Sequence, residues 1–265
     1  MKPFLRWAGG KSWFVSRFTN ILPKNFDTYH EPFLGGAAIF LSLNLNTNSI
    51  LSDSNEDLIN VYRHIRDNLQ GVLHELDQMS ISAESFYEIR SKDYECEIKK
   101  AAQFIYLNRT CYNGLYRVNL KGKFNVPYGK NEDVQLYDKD HITLVSKKLQ
   151  LCEINASGFE ESLSKVRRND LVFIDPPYTV AHNHNGFVEY NQRIFSWEDQ
   201  IRLARCIERL HKIGAFYVVT NAMHQSIIDL YSDIGQPIEI PRHSTMAGQA
   251  AKRKRISELV LTNCM

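Results

Sequence analysis

The chain has 265 residues, of which 43% are hydrophobic and 23% are charged. This length and composition fit a globular protein with a substantial core, and they exclude disordered, collagen-like and coiled-coil proteins. The 32 Lys and Arg residues against 30 Asp and Glu leave a formal charge of +2, which as one number does not indicate a nucleic-acid partner.

The five cysteines have neither the paired spacing of a zinc site nor the even number of a disulfide framework. No apolar run approaches the roughly 20 residues that span a membrane, and the N-terminus lacks the apolar segment of a secretion signal. We therefore expect a cytoplasmic protein that contacts no membrane. We also expect a monomer in solution.

The N-terminal run Arg6 to Ser12 contains the triplet Gly-Lys-Ser. A phosphate-binding loop would need its first glycine at position 5, where Leu5 stands, so we reject a nucleotide triphosphatase. Trp7 and Lys11 could instead supply a stacking face and a cation for a methionine carboxylate. A turn that starts a helix is an equal alternative for this run.

A predicted strand over residues 28–33 runs into the pair Gly35-Gly36, which opens a predicted helix. Asp53 ends the next predicted strand, 18 residues after the first of these glycines. At this spacing an acid can bind ribose hydroxyls while the glycines let the backbone approach a nucleoside. Because Ala37 and Phe40 stand where a dinucleotide fingerprint needs glycine, S-adenosylmethionine is favoured over a pyrophosphate cofactor.

Charge then separates along the middle of the chain. Residues 51–98 contain eleven acids and four Lys or Arg, whereas residues 99–130 contain seven Lys or Arg and no acid. The acidic part begins with a predicted helix over 55–69, and the region from 112 to 138 is predicted to be a loop or hairpin. In the basic part, cations alternate with aromatic rings and asparagines such as Asn108, the side chains of phosphate contact, base stacking and base-edge reading. A solvated basic loop is an equal alternative.

Alternation of strands and helices returns in the second half of the chain. It indicates a mostly parallel sheet covered by helices, into which the helical and basic middle is inserted. The predicted elements there are strands over 150–154, 171–174, 215–220 and 256–262, and a helix over 197–213 capped by Ser196.

The buried apolar strand over 171–174 ends in Asp175-Pro176-Pro177-Tyr178. The prolines keep the chain extended and remove two backbone donors, which leaves a carboxylate, carbonyls and a ring at the carboxyl end of a strand. Asp175 and the Pro176 carbonyl could each accept one N–H from an amine on a flat ring, while Tyr178 stacks on that ring. The chemistry indicates an exocyclic amine of adenine or cytosine, and a plain turn after a strand is the minority alternative.

Two further runs have other interpretations. The run His182 to Gly186 lacks a third metal ligand at useful spacing, so a solvated loop is favoured over a metal site. The basic run Lys252 to Arg255 indicates a solvated turn before a strand. Serine-nucleophile chemistry is unsupported because the chain has no Gly-x-Ser-x-Gly motif.

Three motifs in this order, 7–11, 31–36 and 175–178, resemble the Dam-type adenine DNA methyltransferases. The resemblance extends through 108–119 and 124–129, which are similar to the target-recognition segment of that family, and through 256–260. It implies an α/β fold in which a Rossmann-like methyltransferase sheet carries an inserted, mostly helical target-recognition domain and a basic hairpin loop. It also implies S-adenosylmethionine as the cofactor and double-stranded DNA as the partner.

The resemblance assigns domains and site residues by position. The implied catalytic domain is discontinuous, residues 1-55 and 138-265, and residues 56-137 form the target-recognition domain. The implied catalytic residues are Asp175, Pro176, Pro177 and Tyr178. The implied cofactor contacts are Trp7, Lys11, Glu31, Phe33, Gly35, Asp53 and Asp175. The implied DNA contacts are Arg6, Arg109, Tyr112, Asn113, Leu115, Arg117, Asn119 and Pro127. No metal is implied.

Relatives with a close version of this recognition segment commonly modify GATC, and others read longer sites. We expect base flipping followed by methyl transfer to the adenine amine within GATC. Arg6 stands where GATC enzymes usually carry Lys, which leaves the outer base contact open, and Ala37 stands where glycine is frequent. The alternatives are a different or longer site, action on cytosine amino groups or RNA, and an inactive DNA-binding relative. A cognate restriction endonuclease in the same system also stays open.

Overall fold

The computed structural model describes residues 1–45, 47–179, 195–243 and 255–264. These residues form ten α-helices, one short 3-10 helix and seven strands. None of these helices is long and apolar enough to cross a membrane. The presence of both strands and helices confirms the α/β class that their predicted alternation indicated.

The bounds of the elements follow in chain order. The strands are Tyr29–Glu31 (β1), Ser49–Asp53 (β2), Cys152–Ala156 (β3), Leu171–Ile174 (β4), Phe216–Ala222 (β5), Ile238–His243 (β6) and Arg255–Thr262 (β7). The helices are Val15–Ile21 (α1), Ala38–Ser42 (α2), Glu56–Asp67 (α3), Leu69–Asp77 (α4), Ala83–Ser91 (α5), Glu97–Thr110 (α6), Lys139–Leu149 (α7), Phe159–Ser164 (α8), Trp197–Ile213 (α9) and Gln225–Tyr231 (α10).

The chain packs as two compact units, each made of two segments. Unit 1 contains Met1–Thr19 and Leu34–Ser157, and unit 2 contains Asn20–Phe33 and Gly158–Met265. The predicted division at residues 56-137 concerns the roles of the segments rather than their packing, and it stays a prediction.

In unit 1, β2 and β3 pair in parallel, from Ser49 beside Cys152 to Asp53 beside Ala156. The predicted helix over 55–69 forms as α3, which ends two residues earlier, at Asp67, and α4 begins after Asn68. The side chain of Asn68 accepts the Gly71 N–H at 3.2 Å and so caps the second helix at its start.

The short helix α2 follows the glycine pair and is held at its C-terminal end by a lysine. The Lys148 ammonium donates to the carbonyls of Phe40, Leu41 and Leu43, and so supplies donors at the end of the helix, where intrahelical N–H donors run out. At its start, Ala37 adopts a left-handed φ of 55°, a conformation that favours glycine. This backbone requirement gives a physical reason why glycine would be frequent at this position.

The predicted loop or hairpin after residue 111 takes an irregular form with one short hairpin. Cys111 bridges to Tyr128 and Val118 to Phe124, both antiparallel. The turn between the inner pair is closed by the Asn119 N–H, which donates to the Lys123 carbonyl at 2.9 Å. We call residues 117–125 the 117–125 hairpin.

In unit 2, the strands lie in the order β1-β4-β5-β7-β6. The pairs β1 with β4 and β4 with β5 are parallel, and β7 pairs antiparallel with both β5 and β6. The sheet is thus parallel up to β5, as predicted, and it continues with two antiparallel strands, of which β6 was not predicted. The residues of β4 are all buried, so its carboxyl end emerges from the centre of the core of unit 2.

Helix α9 has the predicted bounds, and its ends explain why. Ser196 and Asp199 form a capping box, in which each side chain binds the backbone of the other residue. Gly214 follows the helix with a left-handed φ of 77°, which ends it.

Asp170 joins β1 to β4 just before the latter begins, and it provides a test of this packing. Its side chain is 4% exposed and accepts hydrogen bonds from the Thr28 and Arg167 N–H groups, and it lies 3.0 Å from the His30 ring nitrogen. In Asp170→Ala these groups lose their partner, and an unsatisfied buried group costs about 1–3 kcal/mol. We expect urea unfolding to show a loss of about 3 kcal/mol, with a smaller loss in Asp170→Asn, which keeps one acceptor oxygen. Equal losses in both variants would contradict this role.

Candidate functional site

The glycine pair of unit 1 lies directly against the indole ring of Trp7. Gly35 has a left-handed φ of 46°, and a Cβ added there would lie 2.8 Å from Cδ1 and Nε1 of Trp7. A Cβ at Gly36 would lie 2.9 Å from the Trp7 Cβ. Both positions therefore require glycine for steric reasons, and the turn presents bare backbone beside an aromatic ring.

Asp53 fixes this turn to the end of β2. Its Oδ2 accepts the Gly35 N–H at 2.9 Å and its Oδ1 accepts the Asn55 N–H at 3.0 Å. A carboxylate has about four lone-pair sites, so Asp53 can still accept hydrogen bonds from hydroxyl groups. Burial raises the pKa of Asp53, while the backbone N–H groups of Gly35, Asn55 and Ser54 act in the opposite direction.

The N-terminal run forms a turn before α1. The Trp7 carbonyl accepts the Gly10 N–H at 3.3 Å, and the buried Lys11 ammonium donates to the Gly9 carbonyl at 3.1 Å. An ammonium has three donors in all. Unit 1 therefore contributes an indole ring, a carboxylate and an ammonium, which are the kinds of group that can bind an adenosine linked to an amino acid.

Trp7 also connects the glycine pair to the 117–125 hairpin. Its ring stacks on Tyr116 at 5.4 Å between centroids, and Tyr116 in turn stacks on Phe104 at 5.0 Å. Phe124, on the other arm of the hairpin, lies 5.9 Å from the Tyr116 ring. The rings of Phe104, Tyr116 and Phe124, all in the basic stretch, therefore pack against other rings of the protein. We call these three residues and Trp7 the aromatic stack.

The interpretation of the basic stretch as base-reading side chains needs correction for other rings and amides as well. Tyr106 and Tyr128 are buried, whereas Tyr112 is 54% exposed. Asn108 is buried and exchanges two hydrogen bonds with the backbone of Arg6, at 2.8 and 2.7 Å. The Asn108 amide is buried because it pairs with the Arg6 backbone. Composition alone cannot show a pairing between residues so distant in sequence.

Two other asparagines shape the hairpin. The Asn119 side-chain oxygen accepts the N–H groups of Lys121 and Lys123, at 2.9 and 3.1 Å, which closes the turn. The Asn125 oxygen accepts from Arg117 Nε at 2.7 Å. Asn119, a predicted DNA contact, thus uses its oxygen within the turn.

The three arginines predicted to contact DNA have different surroundings. Arg6 is exposed, and its side chain packs on Gly114, where a Cβ would lie 2.4 Å from the Arg6 Cδ. Arg109 donates from Nε and Nη2 to the Gln135 carbonyl, and burial lowers its pKa, with the charge of Arg6 acting in the same direction. Arg117 is exposed on the hairpin and forms its bond to Asn125 through one of five donors.

The remaining predicted DNA contacts lie in the chain segments just before and just after the 117–125 hairpin. They are Tyr112, Asn113, Leu115 and Pro127. The Tyr112 N–H donates to the Pro127 carbonyl at 2.9 Å, and both residues are exposed. Asn113 is exposed with a left-handed φ of 54°, and Leu115 is partly buried. Unit 1 therefore brings Arg6, Tyr112, Asn113, Arg117 and Pro127 to the surface in one segment of the fold.

In unit 2, the side chain of Asp175 is held by a threonine of the neighbouring strand. Thr220, fully buried on β5, donates its hydroxyl to Asp175 Oδ1 at 2.6 Å. Asp175 itself is partly exposed at the end of β4. One oxygen of the carboxylate is thereby oriented from the core of unit 2.

The rest of the predicted catalytic motif is anchored in the same way. Pro176 is buried and Pro177 partly buried, and the Tyr178 hydroxyl donates to Glu258 Oε2 at 2.7 Å. Thr179 receives a hydrogen bond from the Gln200 side chain at 3.1 Å. Hydrogen bonds to the buried side chains of Glu258 and Gln200 therefore fix the position of the segment that follows β4.

Sequence reasoning missed the residues that provide these anchors. The only available signal was that each is a polar residue within a predicted strand or helix or directly after one. They are Thr220 and Asn221 on β5, Glu258 on β7 and Gln200 on α9, where Asn221 donates to Gln200 at 3.0 Å.

Glu31 and Phe33, the other predicted cofactor contacts, also lie in unit 2. Glu31 is buried and accepts the Tyr29 hydroxyl at 2.7 Å. Phe33 packs against Phe159 and Phe195, with ring centroids 5.7 and 5.6 Å apart. The predicted histidine loop 182–186 and most of the second basic run lie outside the described residues.

Comparisons with known proteins agree with this chemistry. Residues 7–247 match the family described as D12 class N6 adenine-specific DNA methyltransferase. The chain is 33% identical to the Type II methyltransferase M1.LlaDCHI of Lactococcus lactis subsp. cremoris, over 99% of this chain and 95% of that protein. It is 35% identical to the Type II methyltransferase M.MjaIII of Methanocaldococcus jannaschii, over 91% and 90%. It is 32% identical to the DNA adenine methylase of Salmonella typhi, over 79% and 76%.

The raised pKa of Asp53 predicts a pH-dependent stability. The folded chain binds this proton more tightly than the unfolded chain, so the ionised group costs folding free energy at neutral pH. This cost falls as the pH is lowered towards the folded pKa, and Asp53→Asn has no such cost. We expect urea unfolding to show the native chain gaining stability relative to Asp53→Asn as the pH is lowered through the raised folded pKa towards the unfolded value of about 3.9.

The exposed Asp133→Asn is the matched control for the loss of one negative charge. A stability difference between native chain and Asp53→Asn that stays constant with pH, or that moves in the other direction, would contradict the assignment.

Proposed function

Because the chain belongs to the D12 class of N6 adenine-specific DNA methyltransferases, we propose that it methylates the adenine amine in duplex DNA after flipping the base out of the helix, and that its site is GATC. The observation that carries this proposal is the end of β4. There, Thr220 orients the Asp175 carboxylate, and Glu258 holds the hydroxyl of Tyr178.

In the proposed reaction, Asp175 and the Pro176 carbonyl each accept one N–H of the target amine. These hydrogen bonds localise the nitrogen lone pair, which in free adenine is delocalised into the ring. Base flipping costs a few kcal/mol, and stacking on the Tyr178 ring, worth about 1–3 kcal/mol per base, offsets much of it. After transfer, the amine loses its extra proton beside the Asp175 carboxylate.

S-adenosylmethionine supplies a methyl group bound to a positively charged sulfur. In unit 1, Trp7, Gly35, Asp53 and Lys11 would hold this molecule, with Asp53 accepting hydrogen bonds from the ribose hydroxyls and Lys11 supplying a cation for the methionine carboxylate. The roles of Glu31, Phe33 and Asp175 towards this molecule stay predictions from the resemblance.

Direct transfer from the cofactor to the amine needs no enzyme nucleophile. Burial raises the pKa of the Cys111 thiol to about 11 and that of Cys152 to about 12. Both groups are therefore protonated at neutral pH, and a thiol is a far weaker nucleophile than a thiolate. This supports a mechanism in which the adenine amine is the only nucleophile.

We propose that the exposed residues around the 117–125 hairpin contact DNA. Arg117 would read guanine with two hydrogen bonds in the major groove, and the neighbouring lysines Lys121, Lys123 and Lys130 would contact phosphates.

The GATC site rests on the resemblance of residues 108–119 and 124–129. A different or longer site is the second candidate, since the exposed Arg6 replaces the usual lysine. The type II methyltransferases among the relatives support a place in a restriction–modification system. A cytoplasmic location and a monomeric state stay predictions.

Replacing Asp175, the proposed hydrogen-bond acceptor for the target amine, tests the chemistry. Asp175→Ala should abolish incorporation of radiolabelled methyl groups into duplex DNA while largely sparing DNA affinity, because the DNA contacts lie elsewhere in the chain. Asp133→Asn is the control for charge. Parallel assays on scrambled duplexes, cytosine-containing sites and RNA distinguish the substrate classes. Surviving incorporation in Asp175→Ala would show that the proposed mechanism is wrong.

Replacing Arg117 tests sequence reading. A bidentate contact to guanine discriminates by about 1–3 kcal/mol, so Arg117→Ala should lose affinity for a GATC duplex and little for a scrambled one. Lys121→Ala, on the same hairpin, is the matched control and should weaken both complexes equally and reduce their salt dependence. Equal weakening of both complexes by Arg117→Ala would reassign this residue to phosphate contact.

A further inference from the structure

We infer that Glu258 is a positioning residue for methyl transfer, which holds the Tyr178 ring in the orientation required for stacking on the target base. This inference rests on the proposed function, in which Tyr178 is the stacking ring. Its basis is one hydrogen bond between a buried strand and the predicted catalytic motif.

Glu258 is only 1% exposed, and its Oε2 accepts the Tyr178 hydroxyl at 2.7 Å. It lies in the middle of β7, opposite Ala222 of β5 and Ile240 of β6. Because β7 is paired on both sides, the backbone position of Glu258 is fixed by two hydrogen-bonded ladders. The carboxylate is therefore a stationary acceptor.

Tyr178 is partly exposed, so its ring reaches the surface of unit 2 while its hydroxyl is anchored inside. A tyrosine side chain turns about two torsions, and the hydroxyl lies at the end farthest from the backbone. A short hydrogen bond at that end restricts both torsions. A ring that is oriented beforehand loses less conformational freedom when the base stacks on it.

The composition of β7 argues against a packing role for this residue. The next three residues, Leu259, Val260 and Leu261, are buried hydrophobic residues. A carboxylate among them loses hydration that an apolar side chain would not lose, and this loss is tolerated only when hydrogen bonds replace the water. The bond to Tyr178 links this buried acid to the predicted catalytic motif.

The test compares five variants of the full chain: Glu258→Ala, Glu258→Gln, Tyr178→Phe, Tyr178→Ala and the double variant Glu258→Ala with Tyr178→Phe. Three quantities are measured: kcat and KM for S-adenosylmethionine from steady-state rates, and the fluorescence of 2-aminopurine at the target position, which reports the stacking of the flipped base. Thermal unfolding of each variant shows how much of any effect comes from stability.

We expect Glu258→Ala and Tyr178→Phe each to lower kcat about tenfold, in keeping with loss of a hydrogen bond to a charged group, with KM for S-adenosylmethionine unchanged. The double variant should be no worse than either single variant, because both remove the same bond. Glu258→Gln keeps an acceptor oxygen and should recover most of the activity. The 2-aminopurine signal should rise in the impaired variants, because the flipped base stacks less.

Additive losses in the double variant, or an unchanged kcat in folded Glu258→Ala, would overturn the inference. If Glu258→Ala does not fold, Tyr178→Phe decides, since an unchanged kcat there also overturns it. Tyr178→Ala separates this inference from the proposed function. Full activity of Tyr178→Ala would refute the stacking role itself, whereas its loss together with full activity of Glu258→Ala would refute only the role of Glu258.

Discussion

A polar side chain that leaves water must find a hydrogen-bond partner inside the protein, and this constraint determines the candidate site in both units. In unit 1, Asp53 meets it by accepting the backbone N–H of Gly35, which fixes the glycine turn. In unit 2, Thr220 meets it by donating to Asp175, which orients the carboxylate. The Asp53 and Asp175 carboxylates are both partly exposed, and each is held by a hydrogen bond from a buried residue.

In unit 1, the aromatic stack also joins segments that are distant in the sequence. Trp7 contacts both the glycine pair and Tyr116, so one indole ring borders the proposed cofactor contacts and the segment that leads into the 117–125 hairpin. Asn108 binds the backbone of the preceding residue, Arg6, through two hydrogen bonds. The N-terminal run therefore packs against the proposed recognition segment, although about a hundred residues separate them in sequence.

Local patterns predicted elements well where the ends were chemically marked. Helix α9 has its predicted bounds because Ser196 and Gly214 mark its ends, and β4 was recognisable as an apolar run that Asp175 ends. The end of α3 was predicted to within two residues, and Asn68 ends this helix while its side chain caps the next one. The family and the α/β class could thus be predicted from short motifs. The anchors could not, since Glu258 meets Tyr178 only after the strands have taken their order.

The pairing of β1 with β4 has a consequence for the order of events during synthesis. Tyr29 pairs in register with Leu171, and almost all of unit 1 lies between them in the chain. As the protein leaves the ribosome, β1 has no partner strand within unit 2 until β4 emerges, whereas the segments of unit 1 are complete at Ser157. Long-range pairing of this kind closes slowly, so the topology favours nascent chains in which unit 1 folds first.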